Sequence, residues 1–278
     1  MQVVKLISWN INGRRDPEHQ ARVLLARIPD IVALQEVTAS SVTGWVKALE
    51  TGGLRYVRAT VADPATRRRG PHAYGVLMAS RHPLGDQAGV AFAVADWEEK
   101  VLSQLVETPV GVLAMHCVHV PPGSSNGWEK VRVLEAVYAG LSRLSRDRHT
   151  LLCGDFNTPQ CELPSGEIVT WAQRMDASGR ARLQRLKKNQ PGVRWDAAER
   201  NILSGLEAFG LRDVFRRLHG YEVDACSWVV RRKGLTRRRR FDHIFASEGL
   251  RTVSCEYLSA WRECGLSDHA AIEAVFDA

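Results

Sequence analysis

The chain has 278 residues, 38 lysines and arginines against 31 aspartates and glutamates, and a formal net charge of +7. A 45% hydrophobic and 25% charged composition is that of a globular chain. It excludes a disordered polymer, a collagen-like repeat and a disulfide-dense miniprotein.

In chain order, residues 3–9 form an apolar, β-branched run closed by Asn-Ile-Asn-Gly, which predicts a strand and a turn. Asp16-Pro17 predicts an N-cap and a first helical position, and Ala21, Leu24, Leu25 and Ile28 follow at helical spacing. A short strand at 31–35 completes a βαβ unit, which predicts a parallel pair. A helix is expected over 41–49, then strands at 54–61, 74–80, 88–95, 100–107 and 110–120, joined as antiparallel meanders. Residues 127–145 carry Val131, Leu134, Val137, Leu141 and Leu144 on one helical face, and a strand at 149–153 follows. The stretch 160–200 is polar, basic and irregular, and reads as an insertion carrying a helix or two. A helix at 199–209 and strands at 226–231, 240–246, 251–257 and 270–276 complete the pattern. The expected architecture is α/β (α+β): one domain over 1–278, with two packed sheets and outer helices.

No apolar stretch reaches the roughly 18 residues of a membrane helix, so no membrane partner is expected. The N-terminus opens at once on the strand-like VVKLISW, so no secretory signal is expected either. The six cysteines, at 117, 153, 161, 226, 255 and 264, contain no CxxC pair. They are expected as buried free thiols in a cytoplasmic protein.

The positive charge is concentrated. Residues 231–240 read RRKGLTRRRR, without an acid, and the chain without them is formally neutral. Arg231, Arg232, Lys233, Arg237, Arg238, Arg239 and Arg240 are therefore candidates for contact with a polyanion, as are Arg67, Arg68 and Arg69. A solvated loop is the plainer alternative.

Polar residues stand where apolar runs meet loops, a usual place for a site in an α/β protein. They are Asn10 and Asn12, Glu36, His119, Asp155 and Asn157, Asp242 and His243, and Asp268 and His269. Singly, each has a structural explanation as a turn former, a cap or a satisfied core group. Together they suit metal-assisted phosphoester hydrolysis. Mg²⁺ takes hard oxygen ligands and needs only one or two carboxylates besides the substrate phosphate. A base must activate water, and a donor must meet charge on the phosphate. His72, His116 and Trp9 are expected to be structural.

The motifs SWNINGR (8–14), ALQEV (33–37), YGVLMASRHPL (74–84), HVPPG (119–123), GDFNTP (154–159), RFDHIFAS (240–247) and LSDHA (266–270) occur in one order along nearly the whole chain. In that order the sequence resembles the endonuclease/exonuclease/phosphatase superfamily, and within it the exonuclease III-like branch. The resemblance implies a deoxyribonuclease I-like four-layer sandwich and a Mg²⁺- or Mn²⁺-dependent nuclease acting on DNA, with a place in DNA repair. It implies Glu36 as principal metal ligand with Asn10 and Asp268 beside it, and Asp155 as the group activating water. Asn157 would orient the nucleophile or the phosphate. His269 would contact the scissile phosphate with Asp242 as its carboxylate partner, unless Asp242 serves a second metal.

One departure stands out. Abasic-site enzymes of this branch usually place a tyrosine where this chain has His119, which looks more like the deoxyribonuclease I and phosphatase branches. His119 would donate to the phosphate or act as an acid for the leaving oxygen. A phosphatase or phosphodiesterase on a small or lipid phosphoester is thus the alternative function. An inactive nucleic-acid-binding member is disfavoured, since every site residue is present. The basic run ends two residues before Asp242, so it is expected as a loop or hairpin beside the site. Trp228 is expected to pack within its strand, with stacking on a base as the alternative.

Overall fold

The computed structural model describes residues 2–14, 17–61, 70–85, 92–94, 96–184, 192–232 and 234–277. The first βαβ unit forms as expected, from β1 (Val3–Asn10), α1 (Glu18–Leu25) and β2 (Ile31–Thr38), with β1 and β2 parallel. Pro17 takes the N-cap place and the helix starts one residue later, while Asp16 lies outside the described residues. Next come α2 (Val42–Thr51), β3 (Tyr56–Ala59), β4 (Tyr74–Ser80), β5 (Val101–Thr108) and β6 (Gly111–His119). The strand expected at 88–95 falls largely outside the described residues, and 92–94 form no strand.

A short α3 (Gly123–Asn126) leads into α4 (Trp128–Leu141) and β7 (His149–Asp155), and β6 and β7 are again parallel. Two small hairpins follow: β8 (Cys161–Glu162) with β9 (Ile168–Val169), and β10 (Gln173–Met175) with β11 (Ala181–Leu183). The helix expected at 199–209 is instead α5 (Gly192–Leu203), followed by a 3-10 turn over Gly205–Phe209. Its buried stripe of Trp195, Ala198 and Ile202 starts before the predicted boundary, and Gly205 favours a break.

The chain closes with β12 (Leu211–Asp213), α6 (Val214–His219), β13 (Trp228–Arg232), β14 (Leu235–Arg239), β15 (Asp242–Ser247), β16 (Arg251–Leu258), α7 (Ser259–Glu263) and β17 (Ala271–Asp277). Neither β12 nor α6 was predicted. They turn on Asp213, whose side chain caps α6 by accepting from the Arg216 N–H.

Two sheets result, a six-stranded one ordered β16-β17-β1-β2-β4-β3 and a five-stranded one ordered β12-β15-β7-β6-β5. Their inner faces meet in one apolar layer that includes Leu6, Ala33, Met78, Met115, Cys153 and Ile244. A second layer joins the first sheet to α1 and α2 through Ile7, Leu34, Leu24 and Trp45. A third joins the other sheet to α4 and α5 through Val118, Leu152, Leu134 and Ile202. This is the expected four-layer sandwich.

Gly154 makes the approach of β6 to β7 possible. It sits at φ +141°, and a Cβ there would lie 1.9 Å from the Val118 carbonyl oxygen. All six cysteines are free thiols. Cys117 and Cys153 are buried as expected, but Cys264 is exposed and Cys161 half-buried. Among the described residues no helix is long and apolar enough to cross a membrane.

Candidate active site

Both sheets contribute to one end of the sandwich. Asn10 closes β1, and Glu36 lies in β2 beside it. The β2–β4 register slips between Gln35 and Val37, so Glu36 is the extra residue of a bulge and holds φ +61°. Such a bulge re-aims a side chain out of the alternation of its strand. In the second sheet, Asp155 is registered against His119 on one side and Asp242 on the other, which sets three functional side chains in one row. Asp268 and His269 arrive from the turn before β17. There Ser267 donates to the Asn10 carbonyl and accepts from the His269 N–H, and an isolated bridge joins His269 to Trp228.

Hydrogen bonds join these groups. The Asn10 amide donates to Asp155 at 2.9 Å and to Glu36 at 3.1 Å. The Asn10 side-chain oxygen accepts from the Asn12 backbone N–H, so Asn10 turns its nitrogen, not its oxygen, toward the carboxylates. Asn157, at φ +53°, donates its backbone N–H to Asp155 Oδ1 at 2.8 Å and its amide to the Val120 carbonyl. His269 Nδ1 lies 2.7 Å from Asp242, and its Nε2 lies 3.9 Å from Asp155. His119 Nε2 lies 3.7 Å from Glu36. Asp268 is exposed, and accepts from the Trp228 indole at 3.3 Å.

Electrostatics separates the histidines. Burial works against a charged His269, but the Asp242 and Asp155 carboxylates outweigh it and hold the imidazolium up to about 10. Burial, with the charges of Lys100 and His269, pushes His119 well below the usual imidazole range. A neutral imidazole keeps one N–H with which to donate a hydrogen bond. Burial pushes Asp155 up to about 7; His269 opposes this and Asp242 adds to it. Burial likewise raises Glu36 against the pull of Asn10.

Carboxylates held out of water in this way call for a cation. Atoms of Asp155, Asp242 and His269 lie within 4.8 Å of one another. The trio is one candidate ligand set, to which His269 gives a lone pair only in its neutral form. The oxygens of Glu36 and Asp268, on the other flank, are the hard donors that Mg²⁺ or Mn²⁺ takes. Asp242 Oδ1 is buried without a hydrogen-bond partner, a further acceptor facing this centre.

The basic run divides. β13 and β14 pair as a hairpin whose Arg231, Arg237 and Arg238 are exposed, and Arg238 meets Asp224 at 3.1 Å. Arg239 is half-buried, with its guanidinium 5.7 Å from the Trp171 ring. Arg240 corrects the expectation of a contact with a polyanion. It is 4% exposed and ion-paired to Glu162 at 2.6 Å and Asp213 at 2.8 Å. A buried, doubly paired guanidinium has no face left for a phosphate, and it anchors the hairpin instead. Arg67, Arg68, Arg69 and Lys233 lie outside the described residues.

That anchor predicts a pH dependence. Burial would raise Glu162, but Arg240 and Arg216 hold it down to about 2. A depressed carboxylate stabilises the fold above its ordinary pKa of roughly 4.3, and that stability is lost as pH falls toward 2. Glu162→Gln should therefore be less stable than the parent at pH 7, with the gap closing between about pH 4.3 and 2. Urea midpoints of the two proteins across that window measure it; a constant gap would refute it.

Some residues packed behind the site escaped the sequence reading. Lys130 of α4 and Glu199 of α5 form an ion pair, 1% and 0% exposed, at 2.5 Å. Lys130 Nζ and the Trp171 indole both donate to the Asn157 carbonyl at 3.0 Å. Glu199 accepts from the Trp171 backbone N–H and the Trp195 indole. The expected insertion is thus a brace on Asn157. A lysine on an apolar helix face was the one available signal.

The two-sheet sandwich and the acidic, histidine-assisted centre at its end define a class of phosphoester-hydrolase architecture. The model of the Endonuclease/Exonuclease/phosphatase family matches residues 7–269, and the chain belongs to that family. It is 28% identical to exodeoxyribonuclease III of Haemophilus influenzae over 89% of each chain. Its fold is similar to an AP endonuclease from Archaeoglobus fulgidus, with a TM-score of 0.69 at 22% identity, covering 99% of this chain and 100% of the other. It is also similar to a Neisseria 3′ phosphatase bound to a product DNA hairpin, with a TM-score of 0.65 at 20% identity over 99% and 100% of the two chains.

Proposed function

We propose that this protein is a Mg²⁺-dependent hydrolase of DNA phosphodiesters, a cytoplasmic nuclease of exonuclease III-like type working as one catalytic domain over residues 1–278. The observation that carries this reading is Asp155: a buried carboxylate steered by Asn10 and Asn157, with the charged His269–Asp242 pair 3.9 Å away. Asp155 takes the proton of the attacking water as its oxygen bonds to phosphorus; the ester P–O bond opposite breaks with inversion, and the departing oxygen takes a proton from solvent. Asn157 orients the water or the phosphate. His269, held cationic by Asp242, meets the charge gathering on the phosphate oxygens. His119 donates a neutral N–H to the same phosphate. Glu36 and Asp268 would hold the metal, and Asn10, whose amide nitrogen faces the carboxylates, would orient them in place of the ligand role expected from sequence. A bound Mg²⁺ or Mn²⁺ supplies Lewis-acid polarisation of the phosphoryl oxygens. The free thiols support the cytoplasmic assignment.

A panel of plain duplex, single-stranded and abasic DNA with a generic phosphomonoester tests this, with and without EDTA. Cleavage of DNA that EDTA abolishes supports it. Turnover of the phosphomonoester alone would move the chain to the phosphatase reading, for which His119 is the supporting residue. The exposed hairpin arginines are the proposed backbone grip. Replacing Arg231, Arg237 and Arg238 with alanine should weaken DNA binding and flatten its salt dependence by roughly 0.7–0.9 in log–log slope per lost phosphate contact. Affinity titrated across salt concentrations measures this, and an unchanged slope would reduce the hairpin to a solvated edge.

A further inference from the structure

Asp242 and His269 come from separate strands, yet the imidazole Nδ1 sits 2.7 Å from the carboxylate. The strand that carries Asp242 does not by itself fix that meeting. β15 is paired with β7 along one edge, from Asp242 to Ala246. On its other edge β12 reaches only from Ser247 to Phe245, so among the described residues no strand covers that edge at Asp242. Buried backbone groups there need another partner.

Ser227 supplies it. This fully buried residue precedes β13, and its hydroxyl oxygen accepts the backbone N–H of Phe241 at 2.9 Å and that of Asp242 at 3.1 Å. Tyr257 donates its hydroxyl to the Asp242 carbonyl at 2.6 Å, so Asp242 is held at both ends. The main chain of Ser227 reaches the other member of the pair. Its carbonyl accepts the Ala270 N–H at 2.7 Å, beside the bridge between Trp228 and His269. Arg262 of α7 donates to the same carbonyl at 3.2 Å and to that of Cys226 at 2.9 Å. A serine that only closes a turn bonds to backbone a few residues away. The partners of this hydroxyl are 14 and 15 residues on, at the one strand end that carries the carboxylate.

We propose that Ser227 is a positioning residue for the reaction: its hydroxyl sets where the Asp242 carboxylate meets His269. The assignment rests on the DNA-hydrolase reading and deepens it. Ser227 acts through Asp242 and not on the phosphate. Without the hydroxyl, the N–H groups of Phe241 and Asp242 lose their buried acceptor. The start of β15 then moves to find another, and the carboxylate moves with it. Threonine carries an oxygen on the same carbon and keeps the acceptor, whereas alanine removes it.

The test is a double-mutant cycle read as single-turnover DNA cleavage with Mg²⁺, per folded molecule. Ser227→Ala should lower the rate by about tenfold to a hundredfold, the cost of a shift of about 1 Å or less at a catalytic group. DNA affinity in EDTA should stay close to that of the parent, and Ser227→Thr should keep most of the rate. In an Asp242→Ala background, Ser227→Ala should cost little more, because the side chain it acts through is gone. A serine that serves the fold alone would cost the same factor in both backgrounds. If Ser227→Ala fails to fold, Ser227→Cys, of similar size and with a weak acceptor, takes its place. A second readout needs no turnover. In EDTA the His269 N–H held against Asp242 gives a downfield proton resonance, assigned by its loss in His269→Gln, and Ser227→Ala should displace it. Equal losses in both backgrounds, an unchanged rate in Ser227→Ala, or an undisplaced resonance would overturn the assignment. Failure of the hydrolase reading looks different: the resonance still moves with Ser227→Ala while the parent cuts no DNA when metal is added.

Discussion

Replacing Asp155 with asparagine should lower kcat on DNA by roughly 10²–10⁴-fold and leave DNA affinity within a few-fold of the parent. The substitution removes the proposed base and keeps one acceptor oxygen, enough for the Asn157 N–H, while the Asn10 amide, which donates to the other oxygen, loses its acceptor. The exposed arginines of the hairpin, which are proposed to hold the backbone, are untouched. Stability should move the other way. A carboxylate pushed up to about 7 by burial costs stability where it is ionised, increasingly from about pH 4 to pH 7 and fully above that. In EDTA at pH 8 the variant should therefore unfold at or above the temperature of the parent, with the advantage shrinking as pH falls. Single-turnover rates and thermal melts measure the two effects. Near-normal turnover would remove Asp155 from the mechanism.

Glu199→Gln should produce the largest loss of stability, about 3–5 kcal/mol. It leaves Lys130 as a buried charge without its counter-charge. Burial lowers the Lys130 pKa and Glu199 opposes that shift, so the lysine depends on this partner to stay charged. Activity should fall further than the folded fraction does, because Lys130 and Trp171 together fix the carbonyl of Asn157. The pair Lys130→Met with Glu199→Gln should recover part of the stability and little of the activity, since Asn157 still lacks its lysine. Denaturant unfolding and turnover per folded molecule separate these outcomes. Full recovery of both would make the ion pair a packing element only.

Much of the acidic centre was legible because its parts lie at the ends of apolar strands, where local pattern is strongest. GDFN and SDH need only one strand end each to be read. The strand at 74–80 was predicted with the bounds observed, because its apolar run is bracketed by clear breaks. What escaped was non-local. Arg240 reads as one more member of a basic run until Glu162, 78 residues away, is found against it. The brace on Asn157 joins residues 27 and 14 positions apart across two elements, and no periodicity reports such a contact. The bulge that turns Glu36 outward exists only once β4 is paired beside β2. The assignment of roles to these residues rests with the variants above.

Asn10 ends a strand of the first sheet and donates to Asp155 at the end of a strand of the second. The reactive centre therefore exists only while the two sheets hold one alignment, set by the apolar layer between them. A slide of about 1 Å at a catalytic group can cost on the order of a hundredfold in rate, whereas the same slide barely alters the area buried in that layer. Turnover is thus a vernier on the seam between the sheets. Conservative changes at Met78 or Met115, both fully buried in that layer, will dim activity well before any melting curve records them.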